Sequence, residues 1–257
     1  MNDKIKLRSL GQLFITLTLL LCLSYIASPG GDLLARELIN FSNYTWRIKH
    51  YVRYTVGPGP NYWSSSARNV RVDESGKLHL KVIENKGRWY SSEVWLDQVL
   101  GYGTYEFTVD LPELPLNKNL VLGLFNYLDD GEEFDIEITS WGKNSPTSVQ
   151  FVVQPSELDK NMKRFPLDKT EETKKVFSYT WTSNELVFRC EDCRNEDCND
   201  RVLQEEWKYR GESLPEGDLK THINLWLVEG EPPTDGEEVE ITIENFTFSP
   251  LGEENFD

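Results

Sequence analysis

At 257 residues, with 39% hydrophobic and 12% aromatic content, the chain can bury a large core as one all-β domain or two small ones. Its formal charge of −16 excludes binding to nucleic acid or anionic membrane through bulk electrostatics. An acidic balance names no partner and suits a protein that faces neutral sugars.

Lys4, Lys6 and Arg8 precede an uncharged run over 13–27, which ends in Ala27, Ser28, Pro29 and Gly30. A basic start, an apolar stretch and small residues read as an export signal, cleaved after Ala27 or Ala35. The run is shorter than the roughly 20 apolar residues a spanning helix needs. Cys22 follows Leu20 and Leu21 rather than a small residue, which argues against a lipid-anchored cysteine. The expected organisation is a leader over 1–27, extending to 35 with the later site, and a single secreted domain over 36–257.

From about residue 41 onward short runs alternate apolar and polar residues, at 69–73, 77–83, 104–111, 120–127, 133–138, 148–153, 176–182, 186–190, 222–228 and 237–248. Turn signals separate them, such as Glu74-Ser75-Gly76, Asp129-Asp130-Gly131 and Asp235-Gly236. Many short strands at this spacing predict an all-β fold, a curved jelly-roll sandwich of two antiparallel sheets. Residues 156–173 lack the alternation and read as a long loop with one helical turn.

The run 133–138 alternates strictly, so Glu133, Asp135 and Glu137 face one side of a strand and Phe134, Ile136 and Ile138 the other. The apolar side must be core. Carboxylates about 6 to 7 Å apart repel one another on a scaffold already poor in acids, and a purely structural strand gains nothing from them. Glycoside hydrolysis does, since it needs a nucleophilic carboxylate and a protonated carboxyl on opposite sides of the glycosidic bond. A central Asp135 can share a proton with its neighbours and keep one glutamate protonated near neutral pH. The bland alternatives are a solvated acidic edge or a calcium site extending from Asp129 and Asp130.

The run EEFDIEI resembles the signature of glycoside hydrolase family 16, the clan of laminarinases and lichenases. SSARNVRVDESGKLHLKV, SSEVWLDQVLGYGTYEF, HINLWLVEG and EVEITIENFTFSP accompany it in the family's order, from about residue 60 to residue 250. The resemblance implies a retaining double displacement in an open cleft, with Glu133 as nucleophile, Asp135 as assisting carboxylate and Glu137 as acid/base. By the same resemblance Asn69, Glu93, Tyr127, Gln150, Asn224 and Trp226 line the cleft, and an aromatic face at Trp226 also suits a pyranose ring. Trp95 stands where lichenases have Arg, and Val152 and Gln154 replace polar and aromatic cleft residues, so the substrate does not carry over. No extra residue separates Asp135 from Glu137, which implies a regular strand without a bulge.

Cys190, Cys193 and Cys198 are three cysteines in a polar insert, at a hairpin where the family has a short turn. In an exported chain they suggest one disulfide and one free or intermolecular thiol, ahead of a metal knot or unpaired thiols. His50, His79 and His222 sit in no metal-ligand spacing, and no P-loop, Ser-His-Asp or HExxH pattern occurs. No metal is expected at the catalytic site and no cofactor is required, although a structural calcium ion is compatible with the acidic turns. The expected partner is a polysaccharide, with no nucleic acid, no membrane after signal cleavage, and a monomeric enzyme. The expected function is an exported retaining endo-glycosidase on β-linked glucan. A transglycosylase on the same residues and a non-catalytic carbohydrate-binding jelly roll are the alternatives.

Overall fold

The computed structural model describes residues 37–111, 114–167 and 173–252, all within one compact unit, Leu33–Asp257. The expected leader lies outside the described residues. Among the described residues no helix is long and apolar enough to cross a membrane.

Among the described residues there are seventeen strands, numbered along the chain, and fifteen of them form two sheets. The first runs β1 (Leu38–Phe41), β2 (Tyr44–Ile48), β7 (Arg88–Leu96), β16 (Lys220–Leu227), β9 (Leu120–Asp129), β10 (Glu132–Thr139), β11 (Ser148–Val153) and β12 (Met162–Pro166). The second runs β5 (Val70–Val72), β6 (Leu78–Asn85), β17 (Val239–Pro250), β8 (Gly103–Asp110), β13 (Lys174–Trp181), β14 (Leu186–Cys193) and β15 (Arg201–Tyr209). The first residues of β7 pair with β6, which makes the two sheets one continuous hydrogen-bonded surface folded over itself. A short β3 (Tyr51–Val56) pairs with β4 (Asn61–Trp63), and β4 meets β7 in the one parallel register among the described strands. The jelly-roll expectation therefore holds, including its antiparallel character.

The core lies between the sheets, and period-two alternation decides which side chains enter it. From the first sheet come Phe134, Ile136 and Ile138 of β10, Leu122 and Leu124 of β9, Val94 and Leu96 of β7, and Ile223 and Leu225 of β16, all essentially inaccessible. Phe134 meets Tyr179 at 4.9 Å, Trp181 at 5.4 Å and Phe188 at 6.3 Å from the opposite sheet. Burying such a side chain contributes roughly 2 kcal/mol, and truncating Phe134 to Ala costs about 3 to 5 kcal/mol through the cavity it leaves. This contact fixes the face that β10 turns outward.

Residues 156–173 are not a continuous loop. Met162–Pro166 form β12, bonded to β11 alone and therefore an edge strand. Its polar sequence fits: an edge strand keeps one hydrogen-bonding side and much of its side-chain surface in water, where Lys163 and Arg164 discourage further pairing. Residues 168–172 lie outside the described residues.

Candidate active site

The outward face of the first sheet is read most directly in rows across neighbouring strands. One row carries Glu93 on β7, Asn224 on β16, Gly123 on β9, Glu137 on β10, Gln150 on β11 and Arg164 on β12. The next carries Trp95, His222, Phe125 and Asp135, and a third pairs Tyr127 with Glu133. These rows floor a cleft of about 460 Å³, whose lining includes Glu133, Asp135, Glu137, Glu93, Tyr127, Asn224 and Trp226. Seven of the nine residues singled out from sequence thus meet in one cavity. The register from Glu133 to Thr139 is unbroken on both sides of β10, as a regular strand requires, and the only irregularity falls between Glu132 and Glu133.

Asn69 does not join them. It sits at the turn before β5, is 1% exposed, and its Nδ2 donates to the backbone oxygens of Lys81 (3.2 Å) and Tyr90 (3.0 Å). It joins backbone segments behind the cleft and does not line it. Gln150 does not border the cavity either; its Nε2 donates to Glu137 Oε2 at 3.1 Å while its Oε1 accepts from Arg164. Its contact is with the carboxylate rather than with the open space. Trp226 borders the cleft but is only 8% exposed, clustered with Trp63 and Val121 and edge-on to Trp141 at 6.1 Å. It serves packing as well as lining.

The three carboxyls repel one another in a half-dry setting, and all three are pushed upward. Burial first, then Asp135, Asp130 and Glu93, carries Glu133 to about 10. Burial and the charge of Glu137 raise Asp135 well above the usual carboxylate range, against hydrogen bonds with Glu133 and with Gln154, whose Nε2 lies 3.2 Å from Asp135 Oδ2. Glu137 is pushed to about 8 by burial and by Glu133, with Arg164 and Gln150 pulling the other way. The triad therefore holds protons at neutral pH, one of them in the Glu133–Asp135 hydrogen bond. This arrangement can supply an acid and, with the shared proton on Asp135, a carboxylate base or nucleophile on the same strand.

Across the floor Glu93 behaves oppositely. Burial disfavours its charge, but the hydrogen bond to His222 and the Lys49 ammonium outweigh it and hold its carboxyl below the ordinary value. Lys49 Nζ lies 2.7 Å from Glu93 Oε2, and His222 Nδ1 3.1 Å from Oε1. Gly123 is glycine for a local reason: a Cβ there would lie 2.5 Å from Asn224 Oδ1. A side chain at that point would displace Asn224 from the floor.

Lys49, His222 and Phe125 were not among the sequence candidates for the site, and Gln154 was read there only as a departure from the family's cleft residues. Among the described residues no group of three or more His, Cys, Asp or Glu is arranged to hold a metal ion. Asp129 accepts from the Gly131 amide and Asp130 from the Tyr127 hydroxyl. The insert holds a Cys193–Cys198 disulfide and a buried free Cys190, the first of the arrangements considered.

No protein-family model matches the sequence, and no curated protein does. Solved structures do, and they define the class: the chain has the jelly-roll fold of β-glucanases and lichenases, at 13 to 19% identity. A β-glucanase of Bacillus licheniformis superposes with a TM-score of 0.59 at 19% identity, over 82% of this chain and 94% of that one. A prokaryotic β-1,3-1,4-glucanase (lichenase) from a mouse hindgut metagenome gives 0.58 at 16%, over 84% and 94%. An immunostimulatory antigen and pseudo-β-1,3-glucanase of Mycobacterium tuberculosis gives 0.54 at 16%, over 79% and 91%.

Proposed function

We propose that the chain is an exported endo-glycosidase that hydrolyses a β-linked glucan by a retaining double displacement, as a member of glycoside hydrolase family 16. The observation that carries this reading is the row of Glu133, Asp135 and Glu137 on one face of β10, all lining one cleft and all with raised proton affinity. The glucanase fold of the solved neighbours supports the substrate class.

In the first step the proton shared by Glu133 and Asp135 settles on Asp135, and Glu133 attacks the anomeric carbon. Glu137 gives its proton to the departing glycosidic oxygen, so a sugar hydroxyl leaves and a glycosyl ester remains on Glu133. In the second step Glu137, now a carboxylate, takes a proton from water, whose oxygen displaces Glu133 and restores the original configuration. Transfer to a sugar hydroxyl in place of water uses the same groups.

A second reading has one observation behind it: a protein of this fold is described as a pseudo-glucanase, so a carbohydrate-binding role without turnover is the alternative. Retention of all three carboxylates favours catalysis.

Sugar release from a panel of β-glucans tests the hydrolase, and two variants test the roles. With an activated leaving group, Glu137→Ala still forms its glycosyl ester, and azide should release it with retained configuration. Glu133→Ala has no nucleophile, so azide should give the inverted product. Inverted product from the Glu137 variant, or full activity in either, overturns the assignment. Export is tested by the mass of secreted material, which should lack residues 1–27 or 1–35.

A further inference from the structure

We propose that His222, set on the Lys49–Glu93 ion pair, is a recognition site for a hydroxyl of a neutral glycan unit bound beside the acidic strand. The proposal rests on the glycan-cleft reading above.

The imidazole is fixed on three sides. Its ring stacks on Trp95 (centroids 6.0 Å, 11°) and on Phe125 (4.8 Å, 26°), its neighbours in the row, and meets the edge of Tyr127 at 5.9 Å. Its Nδ1 is engaged by Glu93 at 3.1 Å. Glu93 in turn is held by Lys49, whose ammonium also donates to the Gly57 oxygen at 2.8 Å and lies 4.1 Å from the centroid of the Trp63 ring.

The tautomer follows from this order. An ionised Glu93 accepts, so Nδ1 carries the hydrogen, and Nε2 of the neutral ring is left as an acceptor. Nε2 has no hydrogen-bond partner among the described residues, and His222 lines the cleft. A sugar hydroxyl both donates and accepts, so it can satisfy Nε2 whether or not that nitrogen is protonated.

The chemistry selects a neutral polyhydroxy ligand. The charge of Lys49 is already met by Glu93, so the pair offers no free cation to an anion, while the half-buried Trp95 on the cleft wall supplies apolar surface for the carbon face of a ring. Two residues along β16, Asn224 lines the same cleft with a buried Oδ1 that has no partner, a second acceptor about 6 to 7 Å away. His222 is two strands from Asp135, roughly 10 Å, so it touches a glycosyl unit other than the one being cleaved.

The test measures binding of β-1,3-linked and β-1,3-1,4-linked glucan hexasaccharides by calorimetry, in a Glu137→Gln background that does not consume them. His222→Phe keeps a stacking ring but loses both nitrogens, and should weaken binding by about tenfold. His222→Gln keeps a donor for Glu93 and an acceptor for the sugar, and should bind within about threefold of the parent. With Glu137 intact, the Phe variant should raise KM by a similar factor and leave kcat within about threefold. Parental affinity in the Phe variant, a Gln variant no better than Phe, a loss confined to kcat, or a parent that binds neither hexasaccharide would each overturn the proposal. Binding with the expected variant order but no turnover by the parent would sink the hydrolase reading and leave this site standing.

Discussion

Replacing Arg164 should move the alkaline limb of the activity profile upward. In the proposed mechanism Glu137, pushed to about 8, must be protonated to release the leaving group. It is then about nine-tenths protonated at pH 7 and about one-tenth at pH 9, so kcat/KM should fall nearly tenfold between them. Arg164 favours the anion in two ways, directly by its charge and indirectly through Gln150, whose amide it holds against Glu137. Arg164→Met removes both, the anion becomes costlier, and the limb rises. Arg164 is exposed, so solvent and salt weaken its charge, and a shift of about half a unit is expected, matching an exposed ion pair of less than about 1 kcal/mol. The assay is reducing-sugar release well below KM, from pH 5 to 10, on the β-glucan that the parent cleaves fastest. A limb that stays put or moves to lower pH would refute the reasoning, as would a parent with no decline between pH 7 and 9.

Two further outcomes follow from packing. Because Trp226 is clustered with Trp63 and Val121, Trp226→Ala should cost about 3 kcal/mol of stability along with affinity, so Trp226→Phe is the cleaner probe; it should melt close to the parent yet raise KM, and an unchanged KM would leave Trp226 with packing alone. The disulfide closes a loop with a sequence separation of 5, which corresponds to about 2 kcal/mol of unfolded-chain entropy. Cys193→Ser with Cys198→Ser should therefore melt a few degrees lower with turnover within a few-fold, and complete loss of activity in a folded variant would place the insert at the cleft.

The acidic strand was legible because its alternation is strict and its polar members are all of one kind. β7 was harder: Tyr90, Ser91, Ser92, Glu93 and Val94 are buried in succession, so both faces of the strand are covered and no period-two pattern marks it. β12 lacked an apolar face because it packs on one neighbour only. His222 and Lys49 could not be read as site residues, since what defines them is register. His222 meets Glu93 from 129 residues away, and Lys49 meets it from 44. The absence of metal-ligand spacing among the histidines was silent about hydrogen bonding. Asn69 was misplaced for a related reason: a short motif fixes which residue stands in a turn, while whether its amide faces the cleft or the backbone behind it depends on β6 and β7. The cysteines followed local geometry: alternation along β14 sends Cys190 into the core between the sheets and Cys193 to the opposite face, where it packs with Val176 and its disulfide partner Cys198.

Three buried carboxyls on one strand should make the fold less stable as pH rises, and a neutral replacement should recover that loss. Glu133 has a folded value of about 10, far above the usual glutamate value near 4.3 expected in the unfolded chain. The sign follows from proton counting. Between these values the folded protein keeps a proton that the unfolded chain releases, so stability is full below about pH 4 and declines as pH climbs toward 10. By pH 7 the decline from this one group is on the order of a few kcal/mol, a large share of a typical domain's stability. Glu133→Gln keeps the shape and the hydrogen-bond donor toward Asp135 but has no proton to lose. The variant and the parent should therefore melt at similar temperatures near pH 4.5, and the variant's advantage should widen steadily to pH 8 while its turnover is lost. A gap that is constant with pH, or that closes as pH rises, would mean that Glu133 is already ionised in the folded protein, and that the shared proton assigned to the Glu133–Asp135 pair is not there.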